Sequence, residues 1–296
     1  MIEGIFVEGL IYGIMALGVF FTFRILNFPD LTVDGSFPLG AAVMAACITS
    51  GAGIFWGLTL ALVSGWLAGA VTAEIHNRLR VPHLLAGILT MTMLYSINIR
   101  IMGNRANLPL VRQETLLTQV TQAFPGLDPA WVLLGFFIVL VLGIKVLLDL
   151  FFLTDMGLVF GALGNNEQMV LAAGVNPATY KVIGVGISNA LVAFSGALAA
   201  QYQGFSDVNL GLGMVVFGLA AVMIGEFLIP SNRIWVLTLR VVLGAILYKA
   251  ILYFGRYYGY AIHMTPSDLK LISGLLIIFA LVLTRRGKKG RGGLFS

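Results

Sequence analysis

The chain has 296 residues, of which 59% are hydrophobic and only 10% are charged, and its formal net charge is +5. A soluble domain usually has about 25% charged residues, so the composition excludes a soluble enzyme, a disordered chain and a nucleic-acid-binding protein. The single cysteine excludes an internal disulfide bond and a cysteine-based metal site. The three histidines form no ligand motif, so no metal site is predicted.

Nine apolar segments are candidates for membrane-spanning helices, because about 20 apolar residues are needed to cross the hydrocarbon core of a bilayer. In chain order they cover residues 5–23, 36–50, 54–74, 83–102, 130–153, 178–203, 211–229, 234–254 and 269–284. The second segment is short, which indicates a half-helix or a tilted helix. The first has Glu3 and Glu8 where a cleaved signal peptide would have basic residues, so we expect it to remain in the mature protein.

The basic residues predict the orientation of these segments, since Lys and Arg accumulate in cytoplasmic loops. The tail at 285–296 contains five of them and is therefore expected in the cytoplasm. Nine spans then put the N-terminus on the outer side of the membrane. The positive charge is thus a topology signal, and contact with anionic membrane lipid is a further expectation.

No linker, low-complexity block or second domain divides the chain. We predict one all-α domain over residues 1–296, a polytopic transmembrane helical bundle of about nine segments (eight to ten), because lipid admits only helices and closed barrels. The longest polar interruptions lie at about 103–129 outside and 154–177 inside. Glycine pairs four residues apart, such as Gly9/Gly13 and Gly65/Gly69, predict close contacts between helices.

The inner loop at about 154–177 contains the start and stop signals of a short helix. Asn165 is a suitable N-cap, and Gln168 three residues later can complete a capping box. Glu167 favours the positive end of the helix dipole, and Gly174 suits the left-handed position that ends a helix. The sequence therefore predicts a helix of about two turns with an apolar body at 169–173.

A helix this short is marginal in water and should bury its apolar face against a neighbour. One interpretation is that it lies on the membrane surface or packs under its own bundle. The other is that it docks into a groove of a separate protein. The pattern alone leaves both interpretations open.

Several longer stretches of the chain are specific enough to compare with known families. They are Leu26-Asn27-Phe28-Pro29-Asp30-Leu31-Thr32-Val33-Asp34-Gly35-Ser36, Leu39-Gly40-Ala41-Ala42, Ala172-Ala173-Gly174-Val175-Asn176, Ser188-Asn189-Ala190-Leu191, Ser195-Gly196-Ala197-Leu198, Gln201-Tyr202-Gln203-Gly204-Phe205-Ser206-Asp207 and Gly211-Leu212-Gly213. These stretches resemble the permease subunits of bacterial ABC importers, in the branched-chain amino-acid/ribose-type permease family, and the subgroup of tryptophan/tyrosine-type permeases is nearest.

The resemblance implies that the loop helix is the coupling helix, which such permeases insert into their ATPase. The ATPase-coupling residues that it implies are Gly164, Asn165, Asn166, Glu167, Gln168, Met169, Val170, Leu171, Ala172, Ala173 and Gly174. One departure concerns Gly161-Ala162-Leu163-Gly164, where relatives often carry an Arg-Ala-Thr-Gly-like run. A basic contact to the ATPase or to lipid is therefore missing at this place.

The resemblance also implies partners rather than an enzymatic activity of this chain. The sequence has no Gly-x-x-x-x-Gly-Lys-Ser/Thr loop, so ATP and Mg are expected in separate ATPase subunits, with no cofactor in this chain. The other implied partners are an extracytoplasmic solute-binding protein or lipoprotein and a second permease copy, most simply in a homodimer. The implied location is the bacterial cytoplasmic (inner) membrane.

Two polar segments with Pro or Gly, which break helices, interrupt the apolar sequence. The candidates that they supply for lining or gating a solute pathway are Asn27, Asp30, Thr32, Asp34 and Ser36 in the first and Tyr202, Gln203, Asp207 and Asn209 in the second. The alternative is a pair of interfacial loops whose Asp and Asn side chains cap the next helix. The six residues from Phe28 resemble the six from Phe205, which is a weak sign of an inverted repeat.

Three basic residues lie inside predicted spans. Lys145 is four residues before Asp149, so the two are expected to form an ion pair on one helix face. Arg240 and Lys249 are expected to extend their side chains toward the membrane interface or to bind backbone carbonyls.

These observations together predict the permease subunit of an ABC importer, which moves a small solute, most simply an amino acid, delivered by a binding protein. Sugars and nucleosides remain open as solutes. A secondary transporter driven by protons or ions is the alternative class, with Asp30, Asp207 or the Lys145–Asp149 pair as carriers. An intramembrane enzyme ranks last, since no catalytic arrangement is evident.

Overall fold

The computed structural model describes residues 2–111, 113–231, 233–259 and 274. The ninth predicted segment at 269–284, apart from Gly274, and the basic tail at 285–296 lie outside the described residues. The described helices are α1 Ile2–Phe20, α2 Val33–Thr49, α3 Ile54–Leu79, α4 His83–Ile101, α5 Leu116–Gln122, α6 Pro129–Phe152, α7 Asp155–Asn165, α8 Glu167–Ala172, α9 Pro177–Gln203, α10 Met214–Leu228 and α11 Ile234–Gly259.

Seven helical segments of the described chain are long and apolar enough to cross a membrane. They are Glu3–Ile25, Ile54–Leu79, His83–Ile101, Pro129–Phe152, Pro177–Gln203, Val208–Leu228 and Ile234–Gly255. Helix α2 is shorter, with 17 residues, as the sequence indicated. At 1.5 Å per residue it is about 25 Å long, which is less than the hydrocarbon core of about 30 Å.

Helix α9 lies at the centre of the bundle and packs against α1, α2 and α3. A side chain at Gly65 would overlap the carbonyl oxygen of Asn189, and one at Gly69 would overlap that of Val185. On the other side, the Ser188 hydroxyl donates a hydrogen bond of 2.6 Å to the carbonyl oxygen of Gly18 in α1. The close helix contacts predicted from the glycine spacing are therefore confirmed at α3 and α9.

Two interruptions break the helical path of the chain. After α1, a π-helical turn at Phe21–Ile25 leads into an extended stretch before α2. After α9, a short strand and a 3₁₀ turn at Val208–Gly211 lead into α10. The first stretch starts beside the loop between α6 and α9, and the second starts at the opposite end of α9. The two interruptions thus enter the bundle from opposite ends.

The polar interruptions contain more structure than the sequence indicated. Strand β1 (Asn107–Pro109) pairs antiparallel with β2 (Phe205–Asp207), with Leu108 opposite Ser206. This ribbon joins the two loops at the end of the bundle opposite α8, so the all-α prediction misses a small strand pair. Helices α5 and α7 also form inside predicted loops, because Thr115 and Thr154 cap their first turns.

The three basic residues that the sequence placed inside predicted spans pair with carboxylates. Lys145 and Asp149 form the predicted ion pair, and the Thr238 hydroxyl donates to Asp149 at 2.6 Å. Arg240 pairs with Glu226 at 2.9 Å and donates to the carbonyl oxygen of Ser231 at 3.1 Å, which agrees in part with the expected carbonyl contact. Lys249 pairs with the carboxylate of Glu8 at 3.1 Å.

We expect the substitution Gly65→Leu to destabilise the bundle, because the new side chain would meet the backbone of α9. Overpacking of this kind costs about 1–3 kcal/mol. The measurement is the thermal unfolding midpoint of the purified protein in detergent. Gly143→Leu is the matched control, since a side chain at this helical glycine of α6 meets open space. Equal midpoints for the two variants would contradict the close packing of α3 on α9.

Candidate functional site

The first polar segment carries its acidic residue into the interior of the bundle. Asp30 is buried, and its carboxylate accepts hydrogen bonds from the backbone N–H of Thr32 at 2.8 Å and from the side-chain amide of Asn189 at 2.6 Å. Asn189 lies near the middle of α9. The segment therefore reaches halfway along the central helix before α2 begins.

The neighbours of Asp30 differ in exposure. Thr32 is buried with its hydroxyl oxygen 2.7 Å from that of Thr72, whereas Asn27 is exposed and adopts a left-handed backbone with φ of +51°. Ser36 is buried in the first turn of α2. The structure thus places three of the predicted residues inside the bundle and one at its surface.

Asp34 joins the two interrupted segments. Its carboxylate accepts hydrogen bonds from the backbone N–H groups of Val215 at 2.8 Å and Gly213 at 3.1 Å, at the start of α10. A carboxylate there satisfies N–H groups that have no partner within the helix and favours the positive end of its dipole. Asp34 itself lies in the first turn of α2. The N-termini of α2 and α10 therefore meet at this side chain.

The second polar segment repeats the local geometry of the first. The Asp207 carboxylate accepts a hydrogen bond from the backbone N–H of Asn209 at 2.7 Å, the same two-residue turn that Asp30 makes with Thr32. In each case a long helix ends, the turn follows, and a shorter helix begins. Each unit consists of the long helix, the turn and the shorter helix. Because α1 and α9 run antiparallel, with Gly4 beside Tyr202 and Gly18 beside Ser188, this arrangement supports the inverted repeat indicated by the sequence.

The remaining residues of the second set lie near the outer end of α9. Asp207 also accepts a hydrogen bond from the side chain of Asn107 at 3.1 Å, which ties the two strands together. Gln203 donates to the hydroxyl oxygen of Tyr12 at 3.0 Å, and Tyr202 is half-buried beside Gly4. Asn209 is exposed. Asp34 thus contacts the second interrupted segment at Gly213 and Val215, which follow the four predicted residues of the second set.

Several polar atoms near this junction are buried without a hydrogen-bond partner among the described residues. They are the hydroxyl oxygen of Ser36 and the amide oxygens of Asn98 and Asn189. The amide nitrogens of Asn98 and Asn189 donate to the carbonyl oxygen of Gly35 at 3.2 Å and to Asp30 at 2.6 Å, whereas their oxygens are left to accept hydrogen bonds from water or from a polar solute. Sequence reasoning missed Asn98 as a site residue, although an amide in the apolar span 83–102 was a usable signal.

The short helix of the inner loop, α8, begins one residue later than expected. Helix α7 continues through Asn165, and Asn166 adopts an extended backbone and caps α8 by accepting from the N–H of Met169 at 3.1 Å. The prediction of Asn165 as N-cap with Gln168 completing a capping box was therefore wrong. Gly174 has a left-handed φ of +81°, as predicted for the end of the helix.

Helix α8 is anchored at two points and otherwise open. Val170 is buried, and Glu167 forms an ion pair of 2.8 Å with Lys181 of α9. Met169 and Leu171 are each 62% exposed, and Gln168, Ala172 and Ala173 are exposed as well. An apolar helix surface that the described part of the chain leaves uncovered is typical of an interaction site.

The last helical turn of α7, just before α8, touches the first interrupted segment. A side chain at Gly164 would overlap the carbonyl oxygen of Ile25 and approach Leu26, so the two backbones lie in direct contact. Ile25 ends the π-helical turn of α1, and π-helical turns are frequent at functional sites. The loop of α8 is therefore linked mechanically to the stretch that leads to Asp30 and Asp34.

No group of three His, Cys, Asp or Glu side chains that could hold a metal ion is found in the described part of the chain.

Known proteins match this chain along most of its length. The family model described as the permease component of a branched-chain amino acid transport system matches residues 1–281. The tyrosine transport system permease protein of Clostridioides difficile strain R20291 is 39% identical over 94% of this chain and 89% of its own length. The ribose import permease protein of Haemophilus influenzae is 25% identical over 72% of this chain and 64% of its own length.

Among solved structures, PsaBC from Streptococcus pneumoniae in complex with Fab aligns with a TM-score of 0.53 and 16% identity. The alignment covers 93% of this chain and 89% of that chain, and at this identity it concerns the fold alone. Together with the seven apolar helical segments, the matches indicate a multi-pass protein of the bacterial cytoplasmic membrane. The chain belongs to the family of permease components of branched-chain amino acid transport systems, and it is the permease component of an ABC-type transporter.

Proposed function

We propose that this chain moves an amino acid across the cytoplasmic membrane in complex with a separate ATPase, which supplies ATP, Mg and the hydrolytic activity. The observation that carries the proposal is the contact between the α8 loop and the first interrupted segment, at Gly164 and Ile25. It connects an apolar helix surface, suited to a partner protein, with the polar interior of the bundle.

The proposed mechanism follows these contacts through the bundle. The ATPase holds α8 through its exposed residues Met169 and Leu171. A displacement of α8 passes through Gly164 to the π-helical turn at Ile25 and from there to α2. Since Asp34 joins α2 to the start of α10, both short helices move together. Their joint movement opens the pathway alternately to the two sides of the membrane.

The proposed solute is an amino acid, because the matching permease of Clostridioides difficile is named for tyrosine transport. An extracytoplasmic binding protein or lipoprotein would deliver it at the outer end of the bundle, where the β1–β2 ribbon lies. A second copy of this chain would complete the membrane part as a homodimer. Ribose is the alternative solute class that the more distant relative suggests.

The direct test of the proposed function is solute uptake into vesicles that contain the permease with its co-purified ATPase and binding protein. We expect uptake of L-tyrosine only when ATP is present on the side of the vesicle membrane that carries the ATPase. Uptake that proceeds without ATP and follows an imposed proton gradient would instead favour a secondary transporter. The buried carboxylate of Asp30 would then be the first candidate for a proton carrier.

We expect Leu171→Asp to uncouple ATP hydrolysis from transport without unfolding the bundle, because this side chain is 62% exposed and a charge there opposes apolar docking. The measurement is the ratio of solute transported to ATP hydrolysed. Leu158→Asp is the control, since it adds the same charge to an α7 residue that is 61% exposed. An unchanged ratio in Leu171→Asp would show that α8 is not the coupling element.

We expect Asp34→Ala to slow uptake more than the accompanying loss of stability explains. The substitution removes the carboxylate whose hydrogen bonds hold α2 to the start of α10. Loss of an N-cap costs about 1 kcal/mol, and the change in unfolding midpoint measures this part. Asp128→Ala is the matched control, since Asp128 caps α6 at an exposed position by accepting from the N–H of Ala130 at 2.9 Å. If both variants lost uptake equally, Asp34 would have only a capping role.

A further inference from the structure

A charged pair lies inside the outer half of the bundle, between α1 and α11. The ammonium nitrogen of Lys249 is 3.1 Å from a carboxylate oxygen of Glu8. The Lys249 side chain is only 17% exposed, whereas that of Glu8 is 41% exposed. Ionisable residues at membrane depth are costly and are retained mainly where they serve a function.

Aromatic rings surround the ammonium group of this pair. The nitrogen of Lys249 lies 3.5 Å from the ring centroid of Tyr12 and 5.8 Å from that of Phe217. Tyr12 also stacks on Phe37 of α2 at 5.5 Å, and its hydroxyl oxygen accepts the hydrogen bond from Gln203. We call Glu8, Tyr12, Gln203, Phe217 and Lys249 the outer cluster. Its members come from α1, α9, α10 and α11.

The outer cluster is adjacent to the junction of the interrupted helices. Phe37 follows Asp34 by one helical turn in α2, and Phe217 follows the capped N–H of Val215 by two residues in α10. Interrupted helices mark the solute path in many transporters. A movement of α2 and α10 would therefore change the positions of the aromatic rings in the outer cluster.

The outer cluster differs from a purely structural ion pair of the same protein. Lys145 and Asp149 pair within one helix, both side chains are nearly buried, and the Thr238 hydroxyl occupies a second carboxylate position. In the outer cluster, the pair joins two helices and the Glu8 side chain is 41% exposed. A pair with one exposed partner can exchange its contacts for those of an incoming ion.

We propose that the outer cluster binds the charged groups of an α-amino acid, a proposal that rests on the proposed function. Lys249 binds the carboxylate and Glu8 binds the ammonium group, so the zwitterion replaces one ion pair by two without a change in net charge. Lys249 lies over one face of the Tyr12 ring, so its movement toward the carboxylate frees that face for the side chain of the solute, which favours an aromatic one.

The test uses the full-length permease in nanodiscs and a matched series of probes measured by saturation-transfer NMR. The probes are L-phenylalanine, phenethylamine, which lacks the carboxylate, and 3-phenylpropionate, which lacks the ammonium group. We expect the wild type to bind L-phenylalanine more tightly than either analogue by about tenfold, the factor that corresponds to one additional ionic contact.

The variants assign each charge of the probe to one residue. In Lys249→Met, L-phenylalanine should bind no better than phenethylamine, and in Glu8→Gln no better than 3-phenylpropionate. A merely structural role would leave the order of the three probes unchanged. Lys145→Met is the control, since it removes a comparable buried pair elsewhere and should preserve the wild-type order.

The proposal is overturned if the wild type binds the three probes equally or not at all, or if Lys249→Met and Glu8→Gln both keep the wild-type order. Because Glu8 is partly exposed, Glu8→Gln tests the site even if Lys249→Met fails to fold. ATP-dependent uptake without this probe selectivity would refute the outer cluster alone. Selectivity without ATP-dependent uptake would refute the proposed function and leave the outer cluster standing.

Discussion

The hydrogen bonds of the Asp34 carboxylate to the start of α10 hold together two helices that both begin within the bundle. The first N–H groups of a helix have no partner within that helix, so each interrupted helix requires another group for its first turn. Here one short helix supplies that partner for the other. The two interruptions are therefore structurally dependent on each other, and neither can move without changing the surroundings of Asp34.

This dependence explains the distribution of polar residues. Asp30 is held by Thr32 and Asn189 in the middle of α9, and Asp207 makes the same local turn at the outer end. The first segment is in contact with the loop of α8 through Ile25 and Gly164. A single chain of contacts thus connects the inner surface, the junction and the outer cluster, which is the arrangement expected of a permease that is driven by a partner.

The sequence predicted the helices better than it predicted the interruptions. Long apolar segments and the lipid constraint located the spans, and the Pro, Gly and Asp residues after α1 correctly indicated a break. The partner of Asp34 was not predictable, because Val215 lies far along the chain and donates through its backbone, which leaves no pattern. The same holds for Lys249, whose partner Glu8 lies at the other end of the described chain. Asn166 replaced Asn165 as the cap of α8 because α7, which the sequence did not indicate, continues through Asn165.

The central claim is that nucleotide-driven movement of α8 displaces the two short helices together. It can be measured with nitroxide labels at the exposed positions 49 in α2, 216 in α10 and 139 in α6, in the transporter assembled with its ATPase. We predict that the distances from position 139 to positions 49 and 216 both shift between the ATP-bound and ADP-bound states, whereas the distance between 49 and 216 stays the same. Identical distances from position 139 in both states, while the labelled transporter still moves solute, would contradict this account.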